Sequence, residues 1–540
     1  MSFTPSLAPI AGSQLLSAFV GLLPLLVFFV LMGVFKVKTH WCALISLGIA
    51  LVVAVVGFAM PTTLALLAAT QGFAFGFMPI LYIIIAAVWL YNLTEESGRS
   101  ADVRAAFNVV GRGDRRVQGL LIAFSFCGLL EGLAGFGAPV AIVAAMLVTI
   151  GIPPIKAALA TIVGNAINVG FGAMAIPVTT SGRLGGVDPT AVASQMGYLT
   201  PVIASFIPLV VLAILDGWRG VRQLWPAALV SGAVTALGHF WVANYFSYEL
   251  TAVVASLLGF AAVAIMLQFW RPNTPEDARS EASAKLTGQR ATLALMPYWL
   301  VVIVFGVAKL WRLGIDIPAA LASTDIKFGW PGLHGHVLNA AGEPVSATTF
   351  NLQWLSSPGT LIAITALIVA AVYGSNSSDG KYPFTFGRGI ATLGKTIYNL
   401  RLAILTISVV MALAYVMNLS GQTGAIGAWM AGAGMTFVFV SPVLGWIGTA
   451  VTGSATSANA LFANLQSAAA AQIGADTKLL LAANTIGGGL GKIISPQNLA
   501  IASGAVGEDN AEAVILRKAL PISIGLLLVL SLLVGGTALL

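Results

Sequence analysis

The chain has 540 residues, 58% of them hydrophobic and only 8% charged, with a net charge of +7 at pH 7. Roughly a quarter of a soluble domain is charged, so this composition excludes one and points to an all-α polytopic membrane protein. The Lys and Arg residues lie between apolar runs, where the positive-inside tendency accounts for them, and no basic stretch carries the interleaved aromatics of a nucleic-acid module, so no nucleic-acid partner is expected.

The start, MSFTPSLAPIAGSQLL, lacks the basic region and small-residue cleavage site of a signal peptide, so the first apolar run is expected to stay in the mature protein. Runs able to span about 30 Å of hydrocarbon as helices fall near 15–35, 42–60, 76–94 and 117–130, while 62–75 is ambiguous between an interfacial segment and a further crossing. Others lie near 157–177, 192–214, 225–243, 250–270 and 293–311, and the last near 357–374, 398–418, 426–446, 479–500 and 520–540. Cys42 and Cys127 sit in apolar runs and make neither a disulfide framework nor a metal site. Segments 131–150 and 447–470 are rich in Gly, Ala, Ser and Thr, and each reads as a hairpin that enters the membrane and turns back.

Orientation follows from the basic residues. Lys36 and Lys38 follow the first run, and Arg99, Arg104, Arg112, Arg115 and Arg116 precede the run at 117. Arg219 and Arg222 follow 192–214; Arg271, Arg279, Lys285 and Arg290 fill 271–290; Lys381, Arg388 and Lys395 precede 398–418. Placing all of these in the cytoplasm puts the N-terminus and the nearly uncharged loop 312–356 outside. The crossings then balance if 131–150 and 447–470 each change the parity, or if 62–75 does.

Two halves of the chain resemble each other. AAVWLYNLTEESG (86–98) matches ALAYVMNLSGQTG (412–424), EGLAGFGAP (131–139) lies opposite TAVTGSATS (449–457), and GNAINVGFGAMAIP (164–177) lies opposite ANTIGGGLGKIISP (483–496). Asn165, Gly170, Gly172 and Pro177 align with Asn484, Gly489, Gly491 and Pro496. The first NLTxxSG runs into the Arg-rich loop and the second NLSxxTG into an uncharged stretch, so the halves are expected to be inverted repeats, about 42–214 and 357–540. They divide the chain into a first half, 1–270, a cytoplasmic loop, 271–290, and a second half, 291–540.

Asn and Gly inside a span let the backbone leave the helix and satisfy the groups it frees. A half-helix N-terminus then offers N–H donors and partial positive charge to an anion. On this basis both 157–177 and 479–500 are expected to be discontinuous, with Asn165, Asn168, Gly170, Gly172, Asn484, Gly489 and Gly491 at a substrate site; close packing through small residues is the competing explanation. Ser454, Thr456 and Ser457 either bind a hydroxyl or carboxylate or bond back to their own helix. Glu131 opens a Gly-rich segment at the end of an apolar run, and burial disfavours a carboxylate's charged form, which suits a group that takes up and releases a proton; the alternatives are an interfacial or helix-capping role. Lys492 either pairs with a substrate carboxylate or with Glu131, or snorkels. Arg401 reads as an interfacial anchor and His239 as a packed, neutral side chain. His334 and His336 are too few ligands for a metal site, and no cofactor is expected.

The chain resembles the lactate permease family in GFMPILYIIIAAVWLYNLTEESG (76–98), LLEGLAGFGAPVAI (129–142), ALATIVGNAINVGFGAMAIPV (158–178), WIGTAVTGSATSANALFANLQ (446–466) and LLAANTIGGGLGKIISPQNLAIA (480–502). The resemblance implies import of L-lactate, and in some members D-lactate and glycolate, with protons across the bacterial inner membrane. It also implies inverted repeats with paired re-entrant hairpins and an elevator-like motion. The partners so implied are a small 2-hydroxymonocarboxylate, a proton and membrane lipid, and an oligomer fits as well as a monomer. Competing readings are a sodium-coupled or dicarboxylate transporter, a channel, and an intramembrane serine hydrolase built on GSATS (453–457).

Overall fold

Lipid offers no partner to a free N–H or C=O, so a spanning chain has to satisfy its own backbone as helix, and this chain is helical almost throughout. The computed structural model describes residues 2–539 except 36, 112, 134, 136, 280–285, 309–316, 340–341 and 508–510. Lys36, Arg112 and Lys285, and part of the loop 312–356, thus lie outside the described residues.

The first helices are α1 (Gln14–Gly33), α2 (Thr39–Val52), α3 (Thr62–Phe75), α4 (Tyr82–Glu96), α5 (Ser100–Val110), α6 (Arg115–Leu120), α7 (Cys127–Leu133) and α8 (Ala138–Thr149). Then come α9 (Pro154–Asn165), α10 (Gly172–Leu184), α11 (Pro189–Tyr245), α12 (Thr251–Phe269), α13 (Gly288–Ala294), α14 (Met296–Ala308) and α15 (Ile317–Leu321). An antiparallel pair, β1 (Ile326–Gly329) with β2 (Thr349–Leu352), follows in the long loop. The chain closes with α16 (Pro358–Ser375), α17 (Phe386–Leu419), α18 (Gln422–Met430), α19 (Thr436–Thr452), α20 (Ala455–Ile473), α21 (Thr477–Lys492), α22 (Pro496–Ala505) and α23 (Glu512–Leu539). Among the described residues, ten helical stretches are long and apolar enough to cross a membrane.

Residues 62–75 are not interfacial. Helices α3 and α4 run on through a π-helical turn, Gly76–Leu81, that kinks at Met78. Its Gly72 and Gly76 let α3 lie against the backbone of α17, and Gln71, the polar residue that suggests an interface, is buried and donates to the Ala347 carbonyl at 2.8 Å. The spans at 192–214 and 225–243 are two arms of α11, folded back at Gly217, whose φ of +66° suits glycine. The arms lie side by side: Ser194 Oγ donates to Asn244 Oδ1 at 2.6 Å, and Gly232 sits against the Ser205 carbonyl. Arg219 therefore stands on a helix, where Asp216 and Asp277 hold it at 2.7 and 2.8 Å.

Each half contains a helical hairpin followed by a broken helix. In the first, α6, a π-helical stretch (Leu121–Phe126) and α7 form one rod, and α8 returns beside it. Arg115 Nη1 donates to the Gly151 carbonyl at 3.0 Å, so the hairpin's two ends meet at one edge. In the second, α19 and α20 lie together and turn at Gly453, φ +71°, and Ser454. Both hairpins are longer than predicted: the first arm is the apolar run itself, 115–133 or 436–452, rather than part of 131–150 or 447–470 alone. An apolar rod has the same composition whether it crosses or stops at a tip.

The helix over 157–177 is discontinuous, as expected. It passes from α9 into a 3-10 stretch, Ala166–Phe171, extends at Gly172 (ψ 154°), and makes a left-handed turn at Ala173, Met174 and Ala175 (φ 44°, 58° and 60°). Left-handed residues other than glycine cost roughly 1–2 kcal/mol each, so surrounding packing must hold this turn. The second break is displaced from its expected place. Helix α21 is regular through Asn484, Gly489 and Gly491 to Lys492, and the chain breaks only at Ile493–Ser495. The glycines serve close approach instead: a Cβ on Gly487 or Gly491 would run into the carbonyl oxygens of Pro442 or Trp446 on α19, and one on Gly489 would crowd the Ala166 carbonyl. Packing between the halves is reciprocal, with α10 beside α20 and α22 beside α8, and α11 beside α21 and α23 beside α9.

Candidate functional site

The two hairpin tips and the two helix breaks meet at one cavity of about 430 Å³. Glu131 and Gly135 line it from the first hairpin, and Thr452 through Ser457 from the second. Gly172, Ala173 and Pro177 line it from the first break, Lys492 and Gln497 from the second. The remaining wall comes from elsewhere in the fold: Lys38, Thr39 and His40 at the start of α2, and Leu402, Ala403, Thr406 and Ile407 on α17.

Three helical segments begin at this cavity, α20, α22 and the part of α10 after its left-handed turn, and α8 starts three residues beyond Gly135 of its wall. Their first N–H groups have no acceptor within the helix and carry the positive end of the dipole. Ser454 caps α20, its Oγ accepting from Ser457 N at 3.2 Å, while the N–H groups of Ala455 and Thr456 lie in the same first turn. Ser495 caps α22 with Pro496 next to it, and the freed Lys492 carbonyl accepts from Asn498 Nδ2 and Ser495 Oγ, both at 3.2 Å. The breaks are thus satisfied locally, as buried irregular backbone requires.

At the cavity wall Lys492 Nζ lies 2.9 Å from Glu131 Oε1, with the two residues only 6% and 2% exposed. Asn165 Nδ2 donates to the other carboxylate oxygen, Oε2, at 2.8 Å. The pairing of Lys492 with Glu131 that the sequence offers is present. The pair is fitted closely: a Cβ on Gly172 would come within 2.8 Å of Glu131 Oε1.

Of the residues assigned to the site from sequence, Glu131, Gly172, Ser454, Thr456 and Lys492 line the cavity. Asn165 lies behind Glu131 and reaches the cavity only through it. Asn168 faces away, its Oδ1 3.2 Å from Nε2 of His239, which is fully buried and edge-on to Phe171. Gly170 packs against Met196 and Thr485. Asn484 belongs to a buried network: its Nδ2 donates to Asn459 Oδ1 at 2.9 Å and its Oδ1 accepts from Gln466 Nε2 at 3.2 Å. Gln497, Thr452, Lys38, Thr39 and His40 were not anticipated. Gln497 had a signal, since Ser-Pro at 495–496 marks a cap and first helical position; the α2 residues had none, being distant in sequence. Arg401 is exposed over the Tyr398 ring, 4.0 Å from its centroid, and His334 bonds Thr348 at 2.8 Å.

Asn484→Ala is expected to leave the KM for substrate unchanged and to lower thermal stability in detergent. Removing the amide strands the buried Asn459 and Gln466 groups, a loss of about 1–3 kcal/mol. A raised KM at unchanged stability would instead put Asn484 in contact with substrate.

The L-lactate permease family matches residues 17–539. The glycolate permease GlcA of Escherichia coli (strain K12) is 37% identical over 96% of this chain and 94% of its own length. The L-lactate permease of Bacillus subtilis (strain 168) is 36% identical over 98% of this chain and 97% of its own. Among solved structures, the YdaH transporter of Alcanivorax borkumensis aligns at 17% identity with a TM-score of 0.43, covering 86% of each chain.

Proposed function

The chain belongs to the L-lactate permease family, a multi-pass membrane transporter and not an enzyme, and from that premise we propose that it imports L-lactate, with D-lactate and glycolate as further substrates, by proton symport across the cytoplasmic membrane. The observation that carries this reading is the buried Glu131–Lys492 pair on the wall of a cavity where the N-termini of α20, α22 and the second part of α10 begin.

Ionised, the pair sums to zero charge. A monocarboxylate drawn to Lys492 and the first-turn N–H groups of α20 adds one negative charge that leaves water when the site is carried across the membrane. An uncompensated buried charge costs several kcal/mol. Protonation of Glu131 cancels it, so the empty carrier and the carrier with one anion and one proton are both neutral. Either ligand alone leaves a net charge that disfavours movement, and this couples one proton to one monocarboxylate. Asn165 suits both forms of Glu131: its Nδ2 serves the carboxylate, and its Oδ1, which has no partner among the described residues, accepts from the acid once the amide turns over. The 2-hydroxyl meets Ser454, Thr456 or Ser457.

The halves act as inverted repeats in this proposal, a reading supported by their reciprocal packing. Counting each hairpin as a return, α3–α4 as one crossing and α11 as two puts every basic segment in the cytoplasm and the loop 312–356 outside. Lys38, Thr39 and His40 follow the first crossing and border the cavity, so this conformation presents the site to the cytoplasm. Movement of the hairpins and broken helices against α2 and α17 would carry the site across. Purified protein in liposomes is expected to accumulate labelled L-lactate under an imposed inward pH gradient, with uptake abolished by a protonophore. Accumulation that follows a sodium gradient and ignores pH would overturn the proposal.

A further inference from the structure

A second cavity of about 480 Å³ lies where α10 ends, beneath the paired strands of the long loop. Its cation is Arg183, whose guanidinium bonds Gln353 Oε1 and faces the Phe75 ring 5.9 Å from its centroid. Among the described residues Arg183 makes no ion pair. Of the buried cations, Arg116 and Lys492 each hold a carboxylate, at 2.9 Å in both cases, whereas Arg99 is held by Ser378 Oγ, the Asn376 carbonyl and the faces of Tyr373 and Tyr382. The groups against Arg183 are amides, Asn351, Asn418 and Asn464 beside Gln353, with the nearest carboxylate, Asp325, one hydrogen bond behind them, accepting from Asn351 Nδ2 and Gln353 Nε2 at 3.2 and 3.4 Å; among the described residues Asn351 Oδ1 has no partner.

We propose that this chamber is a second, outer docking site for the transported class of anion, a small 2-hydroxymonocarboxylate. The proposal rests on the transport reading above. Arg183 supplies the charge and a planar fork suited to a carboxylate, and the amides supply partners for a 2-hydroxyl. Arg183 stands on the same α10 arm as Pro177 of the central cavity, six residues on, or about 9 Å by helical rise. Asn464 is likewise on α20, whose first turn lines the central cavity. A chamber this size, like the central cavity, exceeds what a three-carbon acid fills, so the anion docks with water around it, and without the helix N-termini that face the central cavity it binds more weakly here.

The test is equilibrium binding of labelled L-lactate to the purified full-length protein. Wild type is expected to bind at two sites. Lys492→Met keeps the weaker one, and Lys492→Met with Arg183→Gln weakens that remainder at least tenfold, whereas Arg183→Lys retains it. In unaltered protein, L-lactate is expected to slow phenylglyoxal modification of Arg183, read by mass spectrometry. One site in wild type, lost in Lys492→Met, or a modification rate that lactate leaves unchanged, overturns the outer site and leaves the transport reading standing. A wild type that binds no lactate overturns both.

Discussion

Glu131→Gln is expected to abolish lactate accumulation driven by a pH gradient while lactate–lactate counterflow continues at a substantial fraction of the wild-type rate. Gln keeps the shape and the bond with Asn165 but holds the site permanently in the charge state of the protonated acid. The loaded variant, with Lys492 facing the substrate carboxylate, is neutral and moves. The empty variant has an unpaired buried ammonium, at a cost of several kcal/mol. Each 1.4 kcal/mol is about a factor of ten, so its return slows by about a hundredfold or more, and net uptake stops where exchange does not. Unchanged accumulation would remove Glu131 from the proton path, and parallel loss of counterflow would make it part of the binding site alone.

Lys492→Met is expected to be more severe, lowering kcat/KM by at least about a hundredfold in every transport mode, because a charge-assisted contact to substrate, worth about 1.5–3 kcal/mol, goes together with Glu131's partner. Breaking a buried pair from one side costs about 3–5 kcal/mol where the remaining charge stays ionised. The variant should therefore unfold at lower temperature in detergent. Adding Glu131→Gln removes the stranded carboxylate, and the double variant is expected to recover much of that stability and none of the transport. Stability that falls further in the double variant would show that the two side chains are not an energetic pair.

Several parts of this site were legible in the sequence for definite physical reasons. A lone Glu at the end of an apolar run and a lone Lys beyond a glycine run are expensive in lipid, and each needs a partner; they found one another. The small residues of 447–470 marked a hairpin, and Ser454, read as a substrate contact or a back-bond to its own helix, caps α20 at its tip. The glycines of α21 misled because glycine serves two ends, releasing the backbone or admitting a neighbour. Which applies at Gly487 and Gly491 depends on carbonyls of α19 some 45 residues earlier, close in space but not in sequence. Asn484 had the same ambiguity, since its partners Asn459 and Gln466 stand on another helix. The hairpins were located but cut short, because nothing in an apolar rod records which end is a tip. The wall supplied by α2 and α17 is a property of the assembled fold.

The most direct test is a cryo-EM structure of the protein in lipid with bound L-lactate. The lactate carboxylate is expected within hydrogen-bonding distance of Lys492 Nζ and of the N–H groups of Ala455 or Thr456, with Glu131 released from Lys492. Lactate bound elsewhere, with the Glu131–Lys492 contact intact and only water between the hairpin tips, would contradict the account.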